Sequence, residues 1–170
     1  KNPESRKVLW TEEYLQKFIK TADELDYSSI GTIALFCFTL SQRPGDIRQL
    51  KNKNLQNGIL SFTQEKSVTC KNGSPVHLSF NLTHEPLNTL LDRLKFISEK
   101  EGKLREKIQE SYFVSSLGNH GYRKRYICNG FYEEDALIQY ETTGLGLNKS
   151  NIIHATQLVR KVAGIPKELQ

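Results

Sequence analysis

Residues 30–40, IGTIALFCFTL, interrupt an otherwise apolar run only with Gly31, Thr32 and Thr39. At 3.6 residues per turn, a helix from Ser28 or Ser29 to about Leu40 is apolar on nearly every side. Such a helix has no face suited to water, so it is expected to be buried, with the rest of the chain supplying its cover. The run is too short and too interrupted for the ~18–20 apolar residues of a membrane span. No membrane helix is expected.

Stripes suited to that cover flank the run. Thr11-Glu12-Glu13-Tyr14 has the form of a helix start: a hydroxyl to cap free backbone N–H groups, then two carboxylates at the positive end of the dipole. Tyr14, Leu15, Phe18, Ile19 and Ala22 follow as one apolar face. Leu87, Leu90, Leu91, Leu94 and Ile97 predict a helix from Pro86 to about Glu101. Ile152, Ala155, Val159 and Val162 predict another over Asn151–Ala163, stopped by Gly164 and Pro166. Residues 131–142 are also read as helical. Tyr112-Phe113-Val114 is a short apolar piece, and residues 115–130 read as loop.

Between these helices the period changes from 3.6 to 2. Ile59 to Gln64 and Val76 to Phe80 alternate as strands, preceded by an Asn57-Gly58 turn and joined through Lys71-Asn72-Gly73. Ser41-Gln42-Arg43-Pro44-Gly45-Asp46 breaks the apolar helix, because proline disfavours a helical residue before it. Pro44 then suits the first turn of a new helix carrying Ile47 and Leu50. The fold class is therefore mainly α with a small antiparallel β-hairpin or sheet. In 170 residues this is one domain, spanning 10–170, with residues 1–9 as an incoming linker.

Lysine and arginine number 24 against 19 acidic residues, a net charge of +5 and a pI near 9.1, compatible with a polyanionic partner. The first helix is acid-rich, with Glu12, Glu13, Asp23, Glu24 and Asp26. By contrast Arg123, Lys124 and Arg125 sit together between Tyr122 and Tyr126, a candidate grip on phosphates or else a solvated loop. Cys37, Cys70 and Cys128 fit no zinc template and read as reduced thiols. His77, His84 and His120 show no ligand spacing, so no metal and no cofactor is expected. No secretory signal is seen at the amino end; the reduced thiols are what suggest a cytoplasm.

The chemistry concentrates in one stretch. The apolar helix ends in S-Q-R-P-G-D-I-R-Q-L; a strand, Gln64-Glu65-Lys66-Ser67 and the return V-H-L follow. In this order the chain resembles the tyrosine recombinases, specifically phage integrases of the lambda type. That family carries Thr-Gly-x-Arg-x-Gly-Glu/Asp-I-x-x-L after an apolar helix and a lysine near Gln-x-Lys-Thr on the next hairpin. Arg43 matches the first motif, with Gly45, Asp46, Ile47 and Leu50 in step. Lys66, 23 residues later, matches the second, with Gln64 two residues before it. Trp10-Thr11-Glu12-Glu13 is similar to the opening of the family's catalytic domain.

The resemblance implies a DNA breaking-and-rejoining fold and site-specific recombination or integration through a 3′-phosphotyrosine. It also implies double-stranded attachment-site DNA as partner, assembly as a tetramer, and a bacterial or phage-infected cell. Arg43 and Lys66 are then catalytic, with Lys71 the alternative lysine. The residue types suit the task. A guanidinium fork matches two phosphate oxygens and stabilises charge gathering on them. An ammonium on a hairpin can protonate the leaving 5′-oxygen. Asp46 either supports Arg43 or caps a helix.

The match weakens after Phe80. The family's His-x-x-Arg helix ends near A-G-I/V-P, as Ala163-Gly164-Ile165-Pro166 does here. Counting back without gaps puts Ser150 at the histidine and Ile153 at the second arginine. Alternatively His154-Ala155-Thr156-Gln157 is the motif, with Gln157 in place of arginine and a helical turn deleted. His154 is the third candidate active-site residue, or else a partly exposed helix histidine. All seven tyrosines precede Ala163, so none stands where the family places its nucleophile, and the domain reads as incomplete at its carboxy end. This piece alone is then expected to bind DNA without cleaving it. Two other readings stay open: a non-catalytic DNA-binding module on the recombinase scaffold, and a helical protein-interaction domain.

Overall fold

A computed structural model describes residues 10–64, 75–99, 136–138, 147 and 149–166. Helix α1, Glu12–Glu24, begins where the Thr11 hydroxyl accepts a hydrogen bond from the Tyr14 amide at 3.3 Å. It buries Leu15, Phe18 and Ala22. It ends with Asp26 left-handed (φ 59°), so that the Tyr27 N–H reaches back to the Ala22 carbonyl at 2.8 Å. This closing turn is a Schellman motif built on Asp rather than Gly.

Helix α2, Ser28–Leu40, is the expected apolar helix. Ile30, Ile33, Phe36 and Leu40 are buried, whereas Phe38 near its end is exposed. Thr32 is tolerated inside because its hydroxyl donates to the Ser28 carbonyl at 2.8 Å. Gly31 sets the approach of α1: a Cβ here would lie 3.2 Å from Ala22 Cβ and 3.1 Å from the Arg93 guanidinium. Residues 88–99 form α4, which sends Leu90 and Ile97 into the same core.

The short helix α3, Pro44–Arg48, lies between α2 and the sheet. Arg43 is its N-cap in extended backbone (φ −77°, ψ 147°), the conformation proline imposes on its predecessor. Ile47 and Leu50 are buried as the spacing predicts. A 3₁₀ turn, Asn52–Asn54, leads into β1, Leu55–Gln56. With β2, Ile59–Thr63, and β3, His77–Asn81, it makes an antiparallel sheet in the order β1-β2-β3. Asn57 (φ 50°) and Gly58 (φ 78°) turn β1 into β2, and a Cβ on Gly58 would meet Thr83 Cγ2 at 2.4 Å. Strand β1 is missing from the sequence reading because two residues are too few to show an alternation.

Register sorts the two faces. Leu60 opposite Phe80 and Phe62 opposite Leu78 face inward, with the Phe62 and Phe80 rings stacked at 6.1 Å between centroids. Ser61 opposite Ser79 and Thr63 opposite His77 face outward. The ladder extends one step past β2, where the Gln64 N–H donates to the Val76 carbonyl at 3.0 Å.

The helical reading of 131–142 is corrected at Ala136–Ile138. Ala136 forms an antiparallel bridge with Lys51, and the Leu137 N–H donates to the Leu50 carbonyl at 2.8 Å. Backbone groups spent sideways cannot feed an i→i−4 ladder. Burial of Ala136 and Ile138 around a half-buried Leu137 follows the period of an extended chain. Helix α5, Lys149–Val162, packs on α1 and α2 through Ile152, Ala155 and Val159. Gly164 (φ 63°) stops it, with the Ile165 N–H on the Arg160 carbonyl at 3.0 Å. The described residues are thus mainly helical with one small antiparallel sheet. The Lys71-Asn72-Gly73 turn, Tyr112-Phe113-Val114, the loop at 115–130 and the linker at 1–9 lie outside the described residues. No helix among the described residues is long and apolar enough to cross a membrane.

Candidate functional site

Arg43 stands at the junction of α2 and α3 because Pro44 ends one helix and starts the next. Its side chain is exposed and makes no hydrogen bond or ion pair among the described residues. The guanidinium is therefore available to an external anion. Asp46, three residues on, does not buttress it: the carboxylate is 5% exposed and forms no ion pair with Arg43. Asp46 lies instead in the first turn of α3, where the helix dipole favours a negative charge. Of the two roles expected for Asp46, the helix-terminal one fits this placement.

The neighbouring side chain, Gln42, does the joining. Its Nε2 donates to the Leu40 carbonyl at 2.9 Å, occupying one of the free carbonyls at the α2 terminus. Its Oε1 accepts from Gln64 Nε2 at 2.7 Å. Gln64 follows the last residue of β2, and Lys66 is two residues further along the chain. A helix end carrying Arg43 and a strand end leading to Lys66 are thereby tied by a side-chain hydrogen bond between positions 22 residues apart. Sequence reasoning used Gln64 only as a motif letter and missed Gln42. The one available signal was that a glutamine flanks the arginine.

Charge separates along the fold. Residues 43–64 and 75–81 carry four cations, Arg43, Arg48, Lys51 and Lys53, and a single carboxylate, the buried Asp46. Acidic side chains crowd α1 instead, at Glu12, Glu13, Asp23 and Glu24. Within these described segments positive charge therefore predominates, with Arg43 and Lys53 exposed and no exposed carboxylate among the same residues.

Buried Asp46 also acts on Cys37. Burial pushes the Cys37 thiol up from 9.0 to about 12, and the Asp46 carboxylate pushes the same way. An unfolded chain loses this proton near pH 9, whereas the folded one holds it to about pH 12. Folding is thus undisturbed by this group below pH 9 and weakens as pH rises through that window. The folding constant is expected to fall about tenfold per pH unit there, beyond the fall in a Cys37→Ser variant. Urea unfolding of both proteins between pH 8 and 11 (about where the window opens) checks this; parallel curves would contradict it.

His154 lies exposed on α5 and makes no hydrogen bond or ion pair among the described residues. Among the described residues nothing joins it to Arg43. Ile153 and Gln157, the two positions where the motif places a second arginine, are exposed and carry no charge. The arginine that α5 does carry, Arg160, sits in its last turn and is 8% exposed, where its charge complements the helix dipole. Lys66, the alternative Lys71, and Arg123, Lys124 and Arg125 lie outside the described residues. Among the described residues, no cluster of three His, Cys, Asp or Glu side chains could hold a metal ion. Compared with known proteins, the chain matches no family model, no curated protein and no solved structure.

Proposed function

We propose that this chain is the catalytic domain of a site-specific DNA recombinase of the tyrosine type, acting on duplex attachment sites in a bacterial or phage-infected cytoplasm. The observation that carries this reading is the Gln64–Gln42 hydrogen bond at 2.7 Å. It holds the strand end leading to Lys66 against the segment bearing Arg43, which is exposed and unpaired among the described residues. A phosphodiester under in-line attack gathers charge on its non-bridging oxygens, and Arg43 supplies a fixed planar cation there. Lys66 protonates the 5′-oxygen as it leaves. A tyrosine nucleophile conserves the bond energy as a phosphotyrosyl ester, so rejoining needs neither ATP nor a metal. Four such domains would act together on paired duplexes.

A second reading has a specific observation in its favour. Ile153 and Gln157 leave α5 without an arginine at either place the motif allows. A domain that binds duplex DNA on this scaffold without cutting it fits that substitution. Duplex binding by the chain across a salt series tests both against a protein-interaction role. Both DNA readings expect affinity that drops steeply with salt, as phosphate contacts release counterions. Salt-insensitive or absent binding would remove both. A protein carrying the downstream tyrosine, tested on a nicked suicide substrate, separates cutting from binding alone.

A further inference from the structure

The outward face of the hairpin holds two cross-strand pairs whose donors can be counted. Ser61 Oγ and Ser79 Oγ are 3.0 Å apart, and Thr63 Oγ1 lies 2.7 Å from His77 Nδ1. Each hydroxyl has one proton, and a neutral imidazole has one N–H. The serine pair spends one proton on its own bond, whichever oxygen donates, and keeps the other. The Thr63–His77 pair does the same. If the threonine hydroxyl donates to Nδ1, the ring N–H is at Nε2; if Nδ1–H donates, the threonine hydroxyl is spare. In either tautomer one donor per pair remains, on a face where Ser61, Ser79 and His77 are exposed and Thr63 is half-buried.

These pairs occupy successive outward positions on β2 and β3, about 6.8 Å apart at the usual strand rise. Among the described residues the face carries no carboxylate; Lys53, in the turn packed on β2, and Arg43, next to the Gln42 tied to the β2 end, are both exposed. Spare neutral donors within a cationic surround suit an acceptor-rich polyanion. Building on the DNA-binding reading above, we infer that the sugar–phosphate backbone of a DNA duplex lies across this face. Ser61/Ser79 and Thr63/His77 each give it one uncharged hydrogen bond.

Neutral donors and cations leave different traces in a salt titration. Uncharged contacts release no counterions, so losing them weakens binding by the same factor at every salt concentration. The full chain is titrated into a labelled duplex over a potassium chloride series, alongside Ser61→Ala/Ser79→Ala and Thr63→Val/His77→Leu. Each double variant is expected to raise Kd about three- to tenfold with the slope of log Kd against log salt unchanged. Pair variants that melt like the parent and bind like it overturn the inference; so does a flattened slope. A parent chain that binds no duplex removes the DNA reading itself, and this inference with it. Should either variant fail to fold, the parent answers alone by NMR. Adding duplex is expected to shift the His77 ring and the Ser61, Thr63 and Ser79 amides, and unmoved resonances overturn the inference.

Discussion

Arg93→Ala is expected to lower stability by up to about 3–5 kcal/mol, the usual cost of breaking a buried ion pair by removing one partner, the pair here being largely though not fully buried. Its guanidinium grips both oxygens of Asp23 on α1, at 2.8 and 2.6 Å, with the two side chains only 10% and 24% exposed. The same group donates to the Thr32 hydroxyl at 2.9 Å and the Ser28 carbonyl at 3.0 Å on α2. It also stacks 4.8 Å from the centre of the Phe96 ring on its own helix. One side chain therefore ties three helices together, and its loss strips Asp23 of a bidentate partner in a poorly hydrated place. Urea unfolding measures the cost. A double variant, Asp23→Asn with Arg93→Met, is expected to recover a large part of the loss, because it removes the stranded charge and restores apolar volume. If Arg93→Ala costs under ~1 kcal/mol, the value of an exposed pair, the clamp is not what holds α4 to the other two helices.

Arg43→Ala is expected to do the opposite: little to stability, a great deal to DNA chemistry. The side chain is exposed and touches no partner among the described residues, so unfolding should shift by no more than ~0.5 kcal/mol. Removing one phosphate contact is expected to reduce the steepness of log Kd against log salt by about 0.9. In a protein that also carries the nucleophile, cleavage should fall at least ~100-fold, the usual loss when one donor to a developing oxyanion is deleted. Arg43→Lys should not rescue it fully, since an ammonium lacks the planar fork. An unchanged salt slope together with unchanged cleavage of a suicide substrate would sink the assignment of Arg43 to the phosphate.

Local features of this fold are legible because their causes lie within a few residues. Thr11 capping the Tyr14 amide, Pro44 starting α3, Asn57-Gly58 turning β1 into β2 and Gly164 ending α5 each depend on one side chain and its immediate backbone. Apolar stripes on α1, α4 and α5 are equally visible, since burial of one helix face writes a 3.6-residue period. Within the segment 131–142, Ala136–Ile138 deceive for the complementary reason. Their apolar content suits a helix, but the Leu137 amide is claimed by Leu50, which lies far away in the chain.

The sequence by itself determined helices α1 to α5, the pairing of β2 with β3, and that Arg43 stands where a buried helix breaks. Tertiary structure alone decided that Arg93 clamps α1 to α2 across 61 to 70 residues of chain. It also decided that Asp46 is buried rather than paired with Arg43, and that Gln42 meets Gln64. A polar side chain can reach several partners, and its own neighbours in sequence do not choose among them. That choice falls to whichever donors and acceptors the packed helices leave within about 3 Å, where an unmet buried group is costly.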